Sequence, residues 1–423
     1  MRAIGLVLSV VGAASLTAGS STTTNAPKEV RSQLSRNVAP DITPDELASV
    51  VAGETAFTLD VLRQVPSSNN FIYSPYSISI ALSMLGAGTK GDTATQLRGA
   101  LHQTLPPERL AIANNALDLQ LTSRGQNATG RDGQPFRLRV TQAIWGQEDK
   151  IFAAPYLDTL ATSYGAGVFV VDFAKAPGTA LKTINGWASD ATEGQIPALL
   201  GESDITADTQ FVLTNAIDFS AAWGTPFKAS VTADAPFHTA AGDITTSTLH
   251  GTVPGGFVIE SGVTALELLY SGGDTSFLIV QPDDFAGFIA SLTAEQLTKL
   301  VDKLHVGHLL VSLPKFKIDA ELPATSILGK LGVVDAFDST LADLSGIDGQ
   351  RDLHVSSVVH KASITVDEAG TKAAAATAVI GASTTGAYSD PPKVTIDRPF
   401  LFFIRDLATG ALIFAGGVAD PTK

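Results

Sequence analysis

The chain contains no cysteine among its 423 residues. Disulfides, thiol nucleophiles and thiolate metal sites are therefore excluded. The compartment stays open, because a core of this size can be stable outside a cell without cross-links. Charge is also scarce: 17% of residues are charged, and the acidic excess leaves a formal net charge of -14. Nucleic acid and anionic membrane surfaces are poor partners for such a molecule. Arg98, Arg109 and Arg131 are scattered and form no basic cluster. Catalytic motifs are missing as well. Neither a Gly-x-Ser-x-Gly elbow nor His-Glu-x-x-His occurs. Gly86-Ala87-Gly88-Thr89-Lys90 fails as a phosphate loop, because Thr89 and Leu85 stand where glycines are required, and it reads as a helix end and turn. His305 and His308 are three apart but have no acidic neighbours at ligand spacing, so no metal and no cofactor are expected.

What is present is apolar: 44% of residues are hydrophobic, enough for a large core. Arg2, the apolar run Ala3 to Leu16 and the small residues Thr17-Ala18-Gly19-Ser20 read as an export signal over residues 1–19. The run is too short to span a bilayer. Residues 20–43, rich in Ser, Thr, Asn and Pro, read as a flexible leader. One domain is expected over residues 44–423.

Within that domain, helical spacing of apolar residues marks Ala48 to Leu62 and Ser77 to Leu85, and Ile184 to Leu200 reads as an interrupted helix. Val140 to Trp145, Gly167 to Phe173 and Phe211 to Phe219 read as strands. Residues 245–281 suggest short strands with Gly-rich turns. Leu309 to Ile318 suggests one strand whose Pro314 marks an edge or bulge. Phe400 to Arg405 and Ala411 to Val418 form a hairpin around Thr409-Gly410. Helices early and strands late predict an α+β fold with antiparallel sheets. Ala369 to Pro392 does not fit a compact fold: it holds four consecutive alanines, three glycines and many Ser and Thr residues. A loop this long in a compact domain is usually functional or disordered.

Five blocks are specific. Residues 356–377, from Ser356-Ser357-Val358-Val359-His360 through Asp367-Glu368-Ala369-Gly370-Thr371 to Thr377, resemble the strand and hinge of the serpin family. Asn70 to Ser79 resembles its entry into helix B. Leu213 to Phe219 with Trp223 and Phe227 resembles its third-strand signature. Ile184-Asn185 through Thr192, Gly194 and Ile196 resembles its helix F. Asp397 to Phe402 with Leu412 to Gly416 resembles its C-terminal hairpin. The blocks follow serpin order from about Leu47 to Pro421.

The resemblance implies three β-sheets, eight to nine helices and an exposed reactive-centre loop, at about 369–392. It also implies an inhibitor of serine endopeptidases, not an enzyme, which residues 1–19 would export. Such an inhibitor is a suicide substrate: the cut loop inserts into the main sheet and traps the acyl-enzyme. A non-inhibitory carrier or storage protein is the alternative. The implied hinge is Glu368, Gly370, Thr371, Ala373, Ala375 and Thr377. Ser74, Ser77, Asn215 and His360 would form the shutter under the opening sheet. Trp223, Lys315 and Glu368 would form the breach, with Lys315 and Glu368 as an ion pair. Lys372 departs from the usual Glu, and Gly417 stands where a basic residue is common.

The loop's own residues suit insertion. Thr371, Ala373, Ala375, Thr377 and Val379 share one strand face and are small or β-branched, and Lys372 falls on the other face. No proline interrupts Gly370 to Asp390. Counting sixteen residues from Glu368 puts the reactive bond at Thr384–Thr385. Counting back from Pro399 gives Tyr388–Ser389, and the loop is about four residues longer than is common. Small residues around Thr384 suit proteases with small or shallow pockets, elastase-like or subtilisin-like. The inhibitor is expected to act as a monomer.

Overall fold

A computed structural model describes residues 27–126, 128–130, 133, 135–371 and 390–423. In chain order the elements are β1 (Glu29–Val30), α1 (Pro44–Leu62), β2 (Phe71–Tyr73), α2 (Pro75–Gly86), α3 (Gly91–Ala100) and α4 (Pro107–Thr122). Then come β3 (Arg137–Gln147), α5 (Ala154–Thr159), β4 (Val168–Val171), α6 (Pro177–Ala191), β5 (Phe211–Ala222), β6 (Ala233–Thr239) and β7 (Gly242–Glu260). They are followed by β8 (Val263–Leu269), β9 (Thr275–Pro282), α7 (Phe285–Ser291), α8 (Ala294–Asp302), β10 (His305–Pro314), β11 (Phe316–Leu322), α9 (Ala324–Lys330) and α10 (Ser345–Asp348). The chain ends with β12 (Ser357–Val366), β13 (Gly370–Thr371), β14 (Lys393–Thr395), β15 (Phe400–Asp406) and β16 (Leu412–Val418).

Local chemistry sets the first two helices. Thr43 caps α1 in a capping box with Glu46, and Pro44 occupies its first turn. Ser74 caps α2 through the Ser77 amide, with Pro75 next. Almost every side chain of α2 is buried, so this helix runs through the core beneath the main sheet.

Among the described residues, the main sheet has seven strands in the order β1-β4-β3-β5-β13-β12-β11. Its central neighbours β5 and β12 run parallel, Val212 to Ile217 against Ser357 to Ala362. Beyond Ile217 they diverge, and the two residues of β13 fill the space antiparallel to both. The other nine strands form one hydrogen-bonded network. Three layers were expected; two networks result because β7 is continuous through both remaining layers. It pairs β6 and β10 along most of its length and β8 at its end.

Several boundaries differ from the sequence reading. The glycines of 251–256 lie inside the nineteen-residue β7 rather than in turns. A side chain at Gly255 would meet the Glu267 carbonyl oxygen at 2.8 Å, so close strand approach explains this glycine. The expected strand Leu309 to Ile318 is two, split at Lys315, because the chain leaves one sheet after Pro314 and enters the other. Ten α-helices occur among the described residues, more than the eight or nine expected, since short α5 and α10 lack a readable period. The described part of the leader, residues 27–43, is tied down. β1 pairs with the edge strand β4, and Arg36 bonds Asn115 and Asp118 on α4. A polar composition did not reveal those distant acceptors. Residues 1–26 lie outside the described residues.

Candidate strand-insertion site

The gap between β5 and β12 is organised at two places. At the first, α2 meets the sheet. Ser77 Oγ donates to Asn215 Oδ1 at 2.5 Å, and His360 Nδ1 lies 3.0 Å from the same oxygen. The Ser74 backbone N–H donates to His360 Nε2 at 3.0 Å, and Ser74 Oγ donates to the Ile413 carbonyl. Because Nε2 accepts, the ring is neutral and carries its proton on Nδ1, which donates to Asn215. His360 is fully buried, and burial lowers its pKa to about 3. Asn215 Nδ2 is buried with no hydrogen-bond partner. Ser74, Ser77, Asn215 and His360 thus meet in one buried, uncharged cluster.

At the second place the chain turns from β12 into β13. The Trp223 indole donates to the Asp367 carbonyl at 2.8 Å. The backbone N–H groups of Trp223 and Phe227 donate to the Ala369 and Glu368 carbonyls. Lys315 Nζ lies 2.9 and 3.1 Å from the two Glu368 carboxylate oxygens. Thr232 adds a third bond to Glu368. Burial pushes the Glu368 carboxyl up, but these partners outweigh it and hold the group below the usual carboxylate range.

Gly370 then enters the gap with φ +149°; a Cβ there would sit 2.1 Å from the Ala221 carbonyl oxygen. Only glycine fits so close an approach. Thr371 follows, 1% exposed, with its hydroxyl 2.6 Å from the Tyr270 hydroxyl. Tyr270 stacks on Trp223, ring centroids 5.0 Å apart and nearly parallel.

Tyr270 and Thr232 were missed by the sequence reading. Tyr270 carried only the weak signal that a buried phenol needs a hydroxyl partner. The remaining hinge residues Ala373, Ala375 and Thr377 lie outside the described residues. So do both candidate reactive bonds, Thr384–Thr385 and Tyr388–Ser389. Among the described residues, no group of three His, Asp or Glu side chains could hold a metal ion.

A mixed sheet whose two central strands part around the first residues of a following segment defines the class of α+β fold. Its relatives give it a family. The chain matches the description "Serpin (serine protease inhibitor)" over residues 52–421, and it belongs to the serpin family. It is 35% identical to mouse (Mus musculus) leukocyte elastase inhibitor A over 385 residues, covering 88% of this chain and 99% of that protein. It is 32% identical to an uncharacterized serpin-like protein of Thermococcus kodakarensis, covering 88% and 86% of the two chains. The native-state crystal structure of the thermophilic serpin tengpin superposes with a TM-score of 0.81 at 25% identity. That match covers 93% of this chain and 99% of tengpin. Uncleaved ovalbumin superposes at 0.79 and 26% identity, covering 88% and 100%. The fold is the serpin fold.

Proposed function

We propose that this serpin is a suicide inhibitor of serine proteases, and that its loop enters the main sheet as a new strand after cleavage. The observation that carries this reading is the register of Gly370 and Thr371. Thr371 pairs with Ala221 on β5 and with Val366 on β12, antiparallel to both. Continuing that register brings Ala373 opposite Phe219 and Ile364, and Ala375 opposite Ile217 and Ala362. Thr377 then arrives opposite Asn215 and His360, where the unpaired Asn215 Nδ2 faces a polar side chain. Thr371 already points inward, so the residues at every second position after it also face the core. Insertion replaces one parallel ladder between β5 and β12 with two antiparallel ones, which adds hydrogen bonds and favours the slightly stronger geometry. The cleaved, inserted state is therefore the more stable one.

Similarity to leukocyte elastase inhibitors supports an elastase-type target, as do the small residues Ala382-Ser383-Thr384-Thr385. Subtilisin-like enzymes belong to the same reading. Arg2, the apolar run after it and the small residues to Ser20 support export, which N-terminal sequencing of protein from culture medium tests. The decisive experiment is incubation with elastase-like, subtilisin-like and trypsin-like proteases followed by denaturing electrophoresis. A band near the summed mass with the first two classes is expected. Cleavage without that band across the panel leaves the carrier reading ahead. The mass of the released C-terminal peptide identifies Thr385 or Ser389 as its first residue.

A further inference from the structure

Away from the insertion gap, α1, α2 and α4 enclose a small cavity together with the segment 101–105. Val50 and Glu54 line it from α1, Ile80 and Ser83 from α2, and Leu110 and Asn114 from α4. Its mouth is polar: Ser49 Oγ and Thr104 Oγ1 are 2.8 Å apart, and Gln103 Nε2 donates to Ser83 Oγ. About 20 Å³ is open to the centre of a water molecule. One water needs roughly 10–15 Å³ on that measure.

Glu54 is 4% exposed, and its Oε1 is buried with no hydrogen-bond partner. Among the described residues, no lysine or arginine lines the cavity. His102, at the mouth, is bonded to Asp60 on α1. From α2, the Tyr76 hydroxyl donates to Asp118 of α4, and Arg36 is committed to Asp118 and Asn115. The groups around Glu54 are thus a tyrosine, a carboxylate already matched by its own arginine, and a surface histidine pair. An ionised carboxylate in such a place would lack bulk water and a counter-charge.

We propose that Glu54 is held as the neutral acid around a single trapped water, making this three-helix junction a site for one proton and one water. The direction of its titration agrees, since burial raises the carboxyl well above its ordinary value. The sign follows from linkage. The unfolded chain releases this proton near the ordinary carboxylate range, about pH 4.3. The folded chain keeps it to higher pH, so the contribution to stability is complete in acid. It falls as pH rises, until the folded group also ionises.

Glu54→Gln keeps the shape and cannot ionise. The test compares urea unfolding constants of the intact wild-type chain and E54Q from pH 5 to pH 8. From pH 5 upward the ratio should grow about tenfold per pH unit in favour of the variant while the wild-type acid stays protonated. A ratio that does not change with pH overturns the proposal. Infrared difference spectra at pH 7 give an independent reading. A protonated carboxyl C=O stretch present in the folded wild type and absent in E54Q supports the site, and its absence from the wild type overturns it. A high-resolution crystal structure should place one ordered water on Glu54; a dry cavity overturns the water assignment.

Discussion

The two ends of the gap between β5 and β12 are closed by opposite chemistry. Around His360 the contacts are neutral, fully buried and geometrically exacting, and each polar group depends on the next. Around Glu368 the main contact is an ion pair, with the Lys315 side chain about one-third exposed, and Thr232 adds a hydrogen bond. Buried networks are costly to break, because every lost partner leaves a group unsatisfied. A solvent-facing ion pair opens at little cost. Under the proposed mechanism the loop would enter the sheet at the end that yields easily and would displace contacts at the end that does not. Position along the gap, rather than the number of contacts, therefore decides what a substitution does.

The largest effect should come from charging the face that enters the core. Thr371→Lys sets an ammonium against Tyr270 and Trp223 in a site that is 1% exposed. Covalent complex with an elastase-like protease should fall at least tenfold, with cleaved protein accumulating instead; an unchanged yield would detach inhibition from the hinge. Next in size is Asn215→Ala, which leaves Ser77 Oγ and His360 Nδ1 unpaired. A loss of about 2–4 kcal/mol in urea unfolding is expected.

Acid probes the same end without mutation. His360 is neutral in the fold, with a pKa of about 3, against about 6.5 in an unfolded chain. The unfolded state binds the proton first, so this group's contribution is complete above pH 6.5. It declines as pH falls toward 3. The melting temperature should therefore drop across that window, and less steeply in His360→Asn. Carboxylates also titrate there, so the informative quantity is the difference between the two proteins. The smallest effect belongs to the other end: Lys315→Met should change stability by less than about 1 kcal/mol. Were it to match Asn215→Ala, the contrast between the two ends would be lost.

Much of the candidate site was readable in the chain because its information is local. Strand parity assigns a face to every residue after Glu368, and small side chains at alternate positions mark a segment that can slide between strands. Apolar spacing marked Ser77 to Leu85 as a helix, which the structure starts two residues earlier at Pro75. Other features had no local trace. Tyr270 meets Thr371 across 101 residues, and Arg36 meets Asp118 across 82. The continuity of β7 was hidden by glycines, which punctuate turns and also permit close strand packing.

The sequence by itself determined which residues could form strands, caps and an insertable segment, since backbone preferences and side-chain alternation act over a few residues. Only the tertiary structure decided that β5 and β12 close below and part above, and that His360 has no room for a second proton. It alone left Glu54 inside without a counter-charge. Those outcomes depend on burial and on partners brought from far along the chain, and neither distance in space nor exclusion of water is written in the order of residues.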